Sequence, residues 1–288
     1  GRRLAYVGFD DRRQGYQVNE LYVANADGSG ARSLTASFDR DVSNPRWAGN
    51  GAIFFLFEDH GITKLGRIAA NGGRVTTVLS GVGGADIGRP YTSGAFSVNA
   101  AGRIAANVTD PRRPADVVIS TGGGARRLTT LNDDLFAGRT IPTAEPLTAR
   151  SSADGRSIDA WVVRPPNFDP SQRYPLLLEI HGGPFAAYGP SFSAEVQMFA
   201  AAGYVVVYAN PRGSTSYGGE FGNLIRFGVS AGDVFQAGRE PDRLWPRRDR
   251  RRGSRDPLPR EARAGLEGAG RARRLSREAL GRPLRVRG

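Results

Sequence analysis

The stretch YPLLLEIHGGPFAAYGPSF (174–192), continued by SAEVQMFAAAGYVVVYANPRGSTSYGG (193–219), decides the fold of this chain. PLLLEIH (175–181) is a compact apolar run of the kind that forms a strand buried on both faces, and YVVVYA (204–209) is a second. Between them, residues 195–202 have helical composition and are closed by Gly203, a residue suited to the end of a helix. Strand, helix and strand in that order predict a parallel pair within an α/β sheet. Working outward, SIDAWVV (157–163) alternates as a strand and leads through Arg164-Pro165-Pro166 into a loop.

Upstream of this region the pattern changes class. Residues 1–138 are short apolar strands punctuated by tight turns. LYVANADGSGARSLT (21–35), LGRIAANGGRVTTVL (65–79) and VVISTGGGARRLTTL (117–131) repeat one another, with turn centres at 27, 71 and 121. A second kind of turn falls between them, at 47–51 and 99–102. Asp-Gly and Asn-Gly accept the positive φ angles of two-residue hairpins. Two hairpins in every 40–50 residues are the signature of a four-stranded propeller blade of the period expected for such repeats. A generic antiparallel sandwich is the alternative. Three repeats fall short of the roughly four blades that close a propeller, so earlier blades are expected upstream. The opening residue, Gly1 rather than Met, gives the same expectation.

The net charge of +12 is unevenly placed. Residues 239–288 hold 17 arginines against 7 acidic side chains, a net of +10, which leaves +2 for the other 238 residues. The body therefore offers no broad electrostatic footprint for nucleic acid. From Pro246 onward only six of 43 residues are Leu, Val, Ile or Phe, too few to offset chain entropy, so a disordered Arg-rich tail is expected. With no cysteine in the sequence, disulfides, zinc–thiolate sites and cysteine catalysis are excluded. Two histidines without a carboxylate cluster point away from a metal mechanism, and no cofactor is expected. No apolar run approaches the roughly 20 residues of a membrane helix. No charged leader and apolar core open the visible chain, which favours the cytoplasm without fixing the compartment.

His181-Gly182-Gly183-Pro184 follows directly on a buried strand. A glycine pair there lets the backbone turn and leaves N–H groups facing outward. A simple tight turn is the plain reading. In an α/β-hydrolase, however, such a loop supplies one oxyanion-hole donor. YPLLLEIHGGPFAAYGPSF (174–192) and FAAAGYVVVYANPRGSTSYGGEFGN (199–223) closely resemble the prolyl oligopeptidase family of serine peptidases, in its acylaminoacyl-peptidase and dipeptidyl-aminopeptidase-like branch. The resemblance is strong over residues 145–225, and Asn210-Pro211-Arg212-Gly213-Ser214-Thr215 with Tyr217-Gly218 is its most diagnostic block. It implies a partial β-propeller of about three blades (1–144), the N-terminal half of an α/β-hydrolase peptidase domain (145–238) and a disordered tail (239–288). It also implies hydrolysis of short peptides. By the same resemblance Gly183 supplies the oxyanion-hole backbone N–H, Gly182 permits the turn, and the block from Asn210 to Gly213 is a structural corner without chemistry of its own.

The chain departs from the family where the nucleophile is due. Gly228-Val229-Ser230-Ala231-Gly232 has the Gly-x-Ser-x-Gly pattern, but it follows Asn210 by only 20 residues, where the family has a loop. Leu224-Ile225-Arg226-Phe227 is too short and too charged for the strand a nucleophile elbow needs. The match at Ser230 is read as chance. His60 and His181 both precede Ser230, so the family order Ser, Asp, His cannot be completed. His60 is expected to be a solvated turn residue and His181 to be structural. The sequence after Gln236 reads like GC-rich DNA out of frame, which suggests a frameshift between about Gln236 and Trp245. The chain is accordingly expected to be catalytically incomplete. Alternative roles are a propeller-based peptide-binding module, or non-specific nucleic-acid binding by the arginine-rich tail with strong salt dependence.

Overall fold

The computed structural model describes residues 1–225 apart from Asn50, Ala85, Gly122 and Gly123. Ser230, the Arg-rich tail and the expected frameshift lie outside the described residues.

Three antiparallel sheets come first. The first holds β1 (Arg3–Gly8), β2 (Glu20–Asn25) and the two-residue β3 (Arg32–Ser33). The second runs β4 (Val42–Trp47), β5 (Ala52–Asp59), β6 (Ile62–Ala69) and β7 (Thr76–Ser80) in sequence order. The third repeats that order with β8 (Phe96–Val98), β9 (Ile104–Asp110), β10 (Arg113–Ser120) and β11 (Ala125–Arg127). None of the sheets closes on itself.

β5 explains how they stack. Its AIFFLF run is buried throughout, which an isolated two-faced sheet would not require. Ile53, Phe55 and Phe57 pack against Leu21 and Val23 of the first sheet and Ile68 of their own. Phe54 and Leu56 point the other way, onto Ile104, Ala106 and Val118 of the third. Alternation sends successive side chains to opposite faces, and here both faces are covered. Each fully buried Phe, Leu or Ile contributes about 1.5–3 kcal/mol of burial free energy.

A short helix, α1 (Asp133–Phe136), precedes a mixed sheet. That sheet contains β12 (Glu145–Arg150), β13 (Ser157–Val163), β14 (Leu176–Glu179) and, after helix α2 (Ala194–Ala201), β15 (Val205–Ala209), in the order β12-β13-β15-β14. β14 and β15 are parallel, with Leu176 beside Val205 and Glu179 beside Tyr208. Trp161, Val163, Val206 and Tyr208 face α2 through Val196 and Ala200. The alternate residues Val162, Val205 and Val207 bury on the other side. Ser193 sets the start of α2, its hydroxyl accepting the Val196 N–H at 3.2 Å. Beyond β15 lie α3 (Gly219–Gly222) and a single 3₁₀ turn (Asn223–Ile225). Among the described residues no helix is long and apolar enough to cross a membrane.

Candidate active site

β14 and β15 run in the same direction, so residues 180–183 and the corner at Asn210 emerge together beyond their C-terminal ends. In open α/β sheets that is where ligands bind. His181 is buried, while Gly182 and Gly183 are exposed. Gly183 has φ +136°, a conformation that side-chain-bearing residues rarely adopt, and a Cβ there would lie 3.1 Å from Phe185 N. Gly182 has neither a left-handed φ nor a neighbour within 4 Å of a Cβ position. The conformational demand of the turn therefore falls on Gly183. Among the described residues none accepts a hydrogen bond from the Gly183 N–H.

His181 fastens the loop. Its Nε2 lies 3.0 Å from Ser214 Oγ and its Nδ1 3.2 Å from the Gly182 carbonyl. The ring meets Tyr188 edge-on, with centroids 5.1 Å apart. Ser214 is 1% exposed and also donates to the Pro211 carbonyl at 2.7 Å. This serine–histidine contact has the spacing of a nucleophile and base, but no substrate reaches a buried hydroxyl, and Nδ1 faces a carbonyl where a triad has a carboxylate. The pair is a structural pin.

Burial pushes the His181 pKa below the ordinary imidazole value, with the Gly182 carbonyl opposing it. The unfolded chain then binds the proton more readily. The stability that neutral His181 contributes is present above the unfolded value of about 6.5 and is lost as pH falls from there through the lower folded value. An NMR titration of the two histidine rings, assigned with His60→Gln, should place the His181 midpoint below 6.5; a midpoint at or above it would contradict the buried neutral ring.

The segment after the loop is held from two directions. From the mixed sheet, fully buried Asn210 accepts the Tyr188 N–H at 2.8 Å and donates to the Tyr188 carbonyl at 2.8 Å and to Tyr217 Oη at 2.9 Å. From between β7 and β8, residues 87–92 run along residues 187–195. Thr92 N donates to Ala187 O at 3.0 Å, Gly189 N to Pro90 O at 2.8 Å, and Ala194 N to Ile87 O at 2.7 Å. Arg89 bridges Glu179, at the end of β14, and Glu195, in the first turn of α2, at 3.2 and 3.0 Å. Tyr188 Oη donates to the same Glu179 at 3.0 Å.

His60 occupies the β5–β6 turn with its side chain 60% exposed, yet it is anchored. Nδ1 is 2.8 Å from Asp159 Oδ2, and the ring stands edge-on to Tyr217. Beside it, Gly61 N donates to Ser216 Oγ at 2.8 Å. The composition of that turn carries no trace of this docking. Among the described residues no group of three or more His, Cys, Asp or Glu side chains could hold a metal.

A sequence model of the prolyl oligopeptidase family matches residues 190–234. An uncharacterized peptidase of Bacillus subtilis is 40% identical over 151 residues, which cover 51% of this chain and 23% of that protein. A probable dipeptidyl-peptidase 5 of Aspergillus niger is 26% identical over 244 residues, 81% of this chain and 32% of its own length. Among solved structures, the acylaminoacyl peptidase of Pyrococcus horikoshii superposes with a TM-score of 0.70 at 25% identity, over 88% of this chain and 38% of that one. The chain thus spans between about a quarter and two fifths of the length of these relatives.

Proposed function

Because the chain belongs to the prolyl oligopeptidase family, we propose that it carries the oxyanion-binding part of a serine peptidase that hydrolyses short peptides. The observation that carries this reading is the Gly183 N–H, exposed beyond the C-terminal end of β14 and without an acceptor among the described residues. When a serine attacks a peptide carbonyl, the oxygen becomes an anion, and a fixed backbone N–H stabilises that charge more than it stabilises the ground state. Gly182 contributes the open approach to this donor. Substrates are short peptides, in keeping with the names dipeptidyl-peptidase and acylaminoacyl peptidase borne by the relatives.

In this reading residues 1–144 are blades of a partial β-propeller, of which the three antiparallel sheets are the visible part. Residues 145–238 are the N-terminal part of an α/β-hydrolase domain, and 239–288 are an out-of-frame tail. The chain as it stands is catalytically silent. Of its two histidines, His181 is buried against Ser214 and Tyr188, and the His60 ring, held at Nδ1 by Asp159, has no serine hydroxyl among its hydrogen-bond partners in the described residues, so neither is paired as base with an accessible serine. A fluorophosphonate probe should therefore leave the purified chain unlabelled. Labelling that disappears in Ser230→Ala would make Gly228 to Gly232 a working nucleophile elbow and overturn the assignment of silence.

A further inference from the structure

Two neighbouring carboxylates at the end of β5 are treated differently. Asp59 is met by two cations, Arg40 at 2.8 Å and Lys64 at 2.6 Å. Half-buried Glu58 has no cationic partner among the described residues. It accepts instead from the Thr215 hydroxyl at 3.2 Å, while the hydroxyl of nearby Thr92 donates to Ala187 O at 3.4 Å. Desolvation, with repulsion from Asp41 as a lesser cause, pushes its pKa above the usual carboxylate value, so this arrangement carries a cost to folding. A group that costs stability and packs at a site calls for a positional explanation.

Both threonines hold the segment that follows the glycine loop. Thr215 N donates to Ala186 O at 3.0 Å, and Thr92 N donates to Ala187 O at 3.0 Å. Ala186 N in turn donates to Pro184 O at 2.8 Å, closing the turn that begins at Gly183. Thr215 comes from the corner after β15 and Thr92 from the strap between the second and third sheets. Glu58, on the second sheet, is the acceptor of the Thr215 hydroxyl.

We propose that Glu58 is a positioning residue for the glycine loop, orienting Gly183 from the sheet region through Thr215. This rests on the oxyanion reading of Gly183 for its functional meaning, but not for its physical content. The Thr215 hydroxyl on this carboxylate ties the corner after β15 to the second sheet, and that corner holds the Ala186 carbonyl of the loop. The direction of the Gly183 N–H is then set by residues outside its own sheet. An enzyme of this design would have its oxyanion geometry depend on the integrity of the repeat region.

Amide hydrogen exchange of the full chain tests this. Glu58→Ala removes the acceptor of the Thr215 hydroxyl, and exchange at the hydrogen-bonded amides of Ala186 and Tyr188 should rise about tenfold or more while amides of β13 and β15 keep their protection. Glu58→Gln retains an acceptor oxygen and sheds the desolvated charge, and should exchange like the parent. Unchanged exchange at Ala186 and Tyr188 in Glu58→Ala would overturn the proposal, as would a uniform rise that includes β13 and β15. If Glu58→Ala does not fold, Thr215→Val, which removes one hydroxyl at nearly constant shape, should show the same local rise, and a flat profile there would be equally fatal. The exchange result does not depend on whether Gly183 binds an oxyanion. Probe labelling at Ser230 would alter the catalytic reading and leave the positioning intact.

Discussion

Gly189→Ala should lower the stability of the chain by about 3 kcal/mol or more, measured by urea unfolding. A Cβ on Gly189 would overlap the Gly61 carbonyl oxygen and come within 2.9 Å of the Gly61 carbonyl carbon. Both are backbone atoms, so no side chain can swing aside. Gly61 has φ +72°, and its own Cβ position would overlap Tyr188 O and lie 3.0 Å from the Trp161 ring. The β5–β6 hairpin therefore meets the 188–189 segment backbone to backbone. Relief requires the hairpin to withdraw, which endangers His60 N to Ser216 O at 3.1 Å, Gly61 N to Ser216 Oγ at 2.8 Å and Gly189 N to Pro90 O at 2.8 Å. Each is worth about 1 kcal/mol net. In a domain of this size every kcal/mol removes roughly 2–4 °C from Tm, so thermal unfolding should also move by several degrees. Gly182→Ala is the internal control, since its Cβ meets nothing within 4 Å, and its effect should stay within about 0.5 kcal/mol. Gly61→Ala should be comparably damaging, and the double variant less than additive because both report one contact. A loss below about 1 kcal/mol for Gly189→Ala would mean that the hairpin does not dock as closely as described.

What the sequence makes legible is what periodicity and local turn chemistry encode. The strand over 157–163 follows from alternation, and β13 has those bounds. The apolar runs at 175–181 and 204–209 yield β14 and β15, trimmed at their ends and paired in parallel. The helix begins and ends one residue before its expected span, because Ser193 caps it and the expectation weighed composition over the cap. The turn centred on 27 joins β2 to β3, and the one centred on 71 joins β6 to β7. The contacts that hold the candidate site are of another kind. Glu58 with Thr215, His60 with Asp159, and Asn210 with Tyr188 pair segments distant in sequence or separated by irregular loop. Gly61 and Gly189 look ordinary one at a time, and their meaning lies in facing each other. The strap at 87–92 has no period because its hydrogen bonds go to another segment rather than to a ladder partner. The family resemblance locates the glycine loop; it takes the folded chain to show that much of the support for that loop comes from the repeat region.

Asn210→Leu should be the most damaging polar substitution near the loop, at about 3–5 kcal/mol. Leu has as many side-chain heavy atoms as Asn but is bulkier, so overpacking adds to the cost of the lost hydrogen bonds. Asn210 is fully buried and its amide satisfies both backbone groups of Tyr188 as an adjoining strand would, accepting the N–H and donating to the carbonyl. A buried donor or acceptor left without its partner costs about 1–3 kcal/mol, and here two are stranded at once. Asn210→Asp separates the two roles, since the carboxylate still accepts the Tyr188 N–H but sets an oxygen against the Tyr188 carbonyl. It should fall below the parent even though one hydrogen bond is preserved. Because Tyr188 also touches His181 and donates to Glu179, loosening its backbone should release the glycine loop along with it. Hydrogen exchange at Ala186 and Tyr188 should therefore rise in Asn210→Leu beyond what the global loss explains. If unfolding shifts by less than about 1 kcal/mol, water or a rearranged loop is satisfying Tyr188, and the corner after β15 is not the fixed point from which the loop is hung.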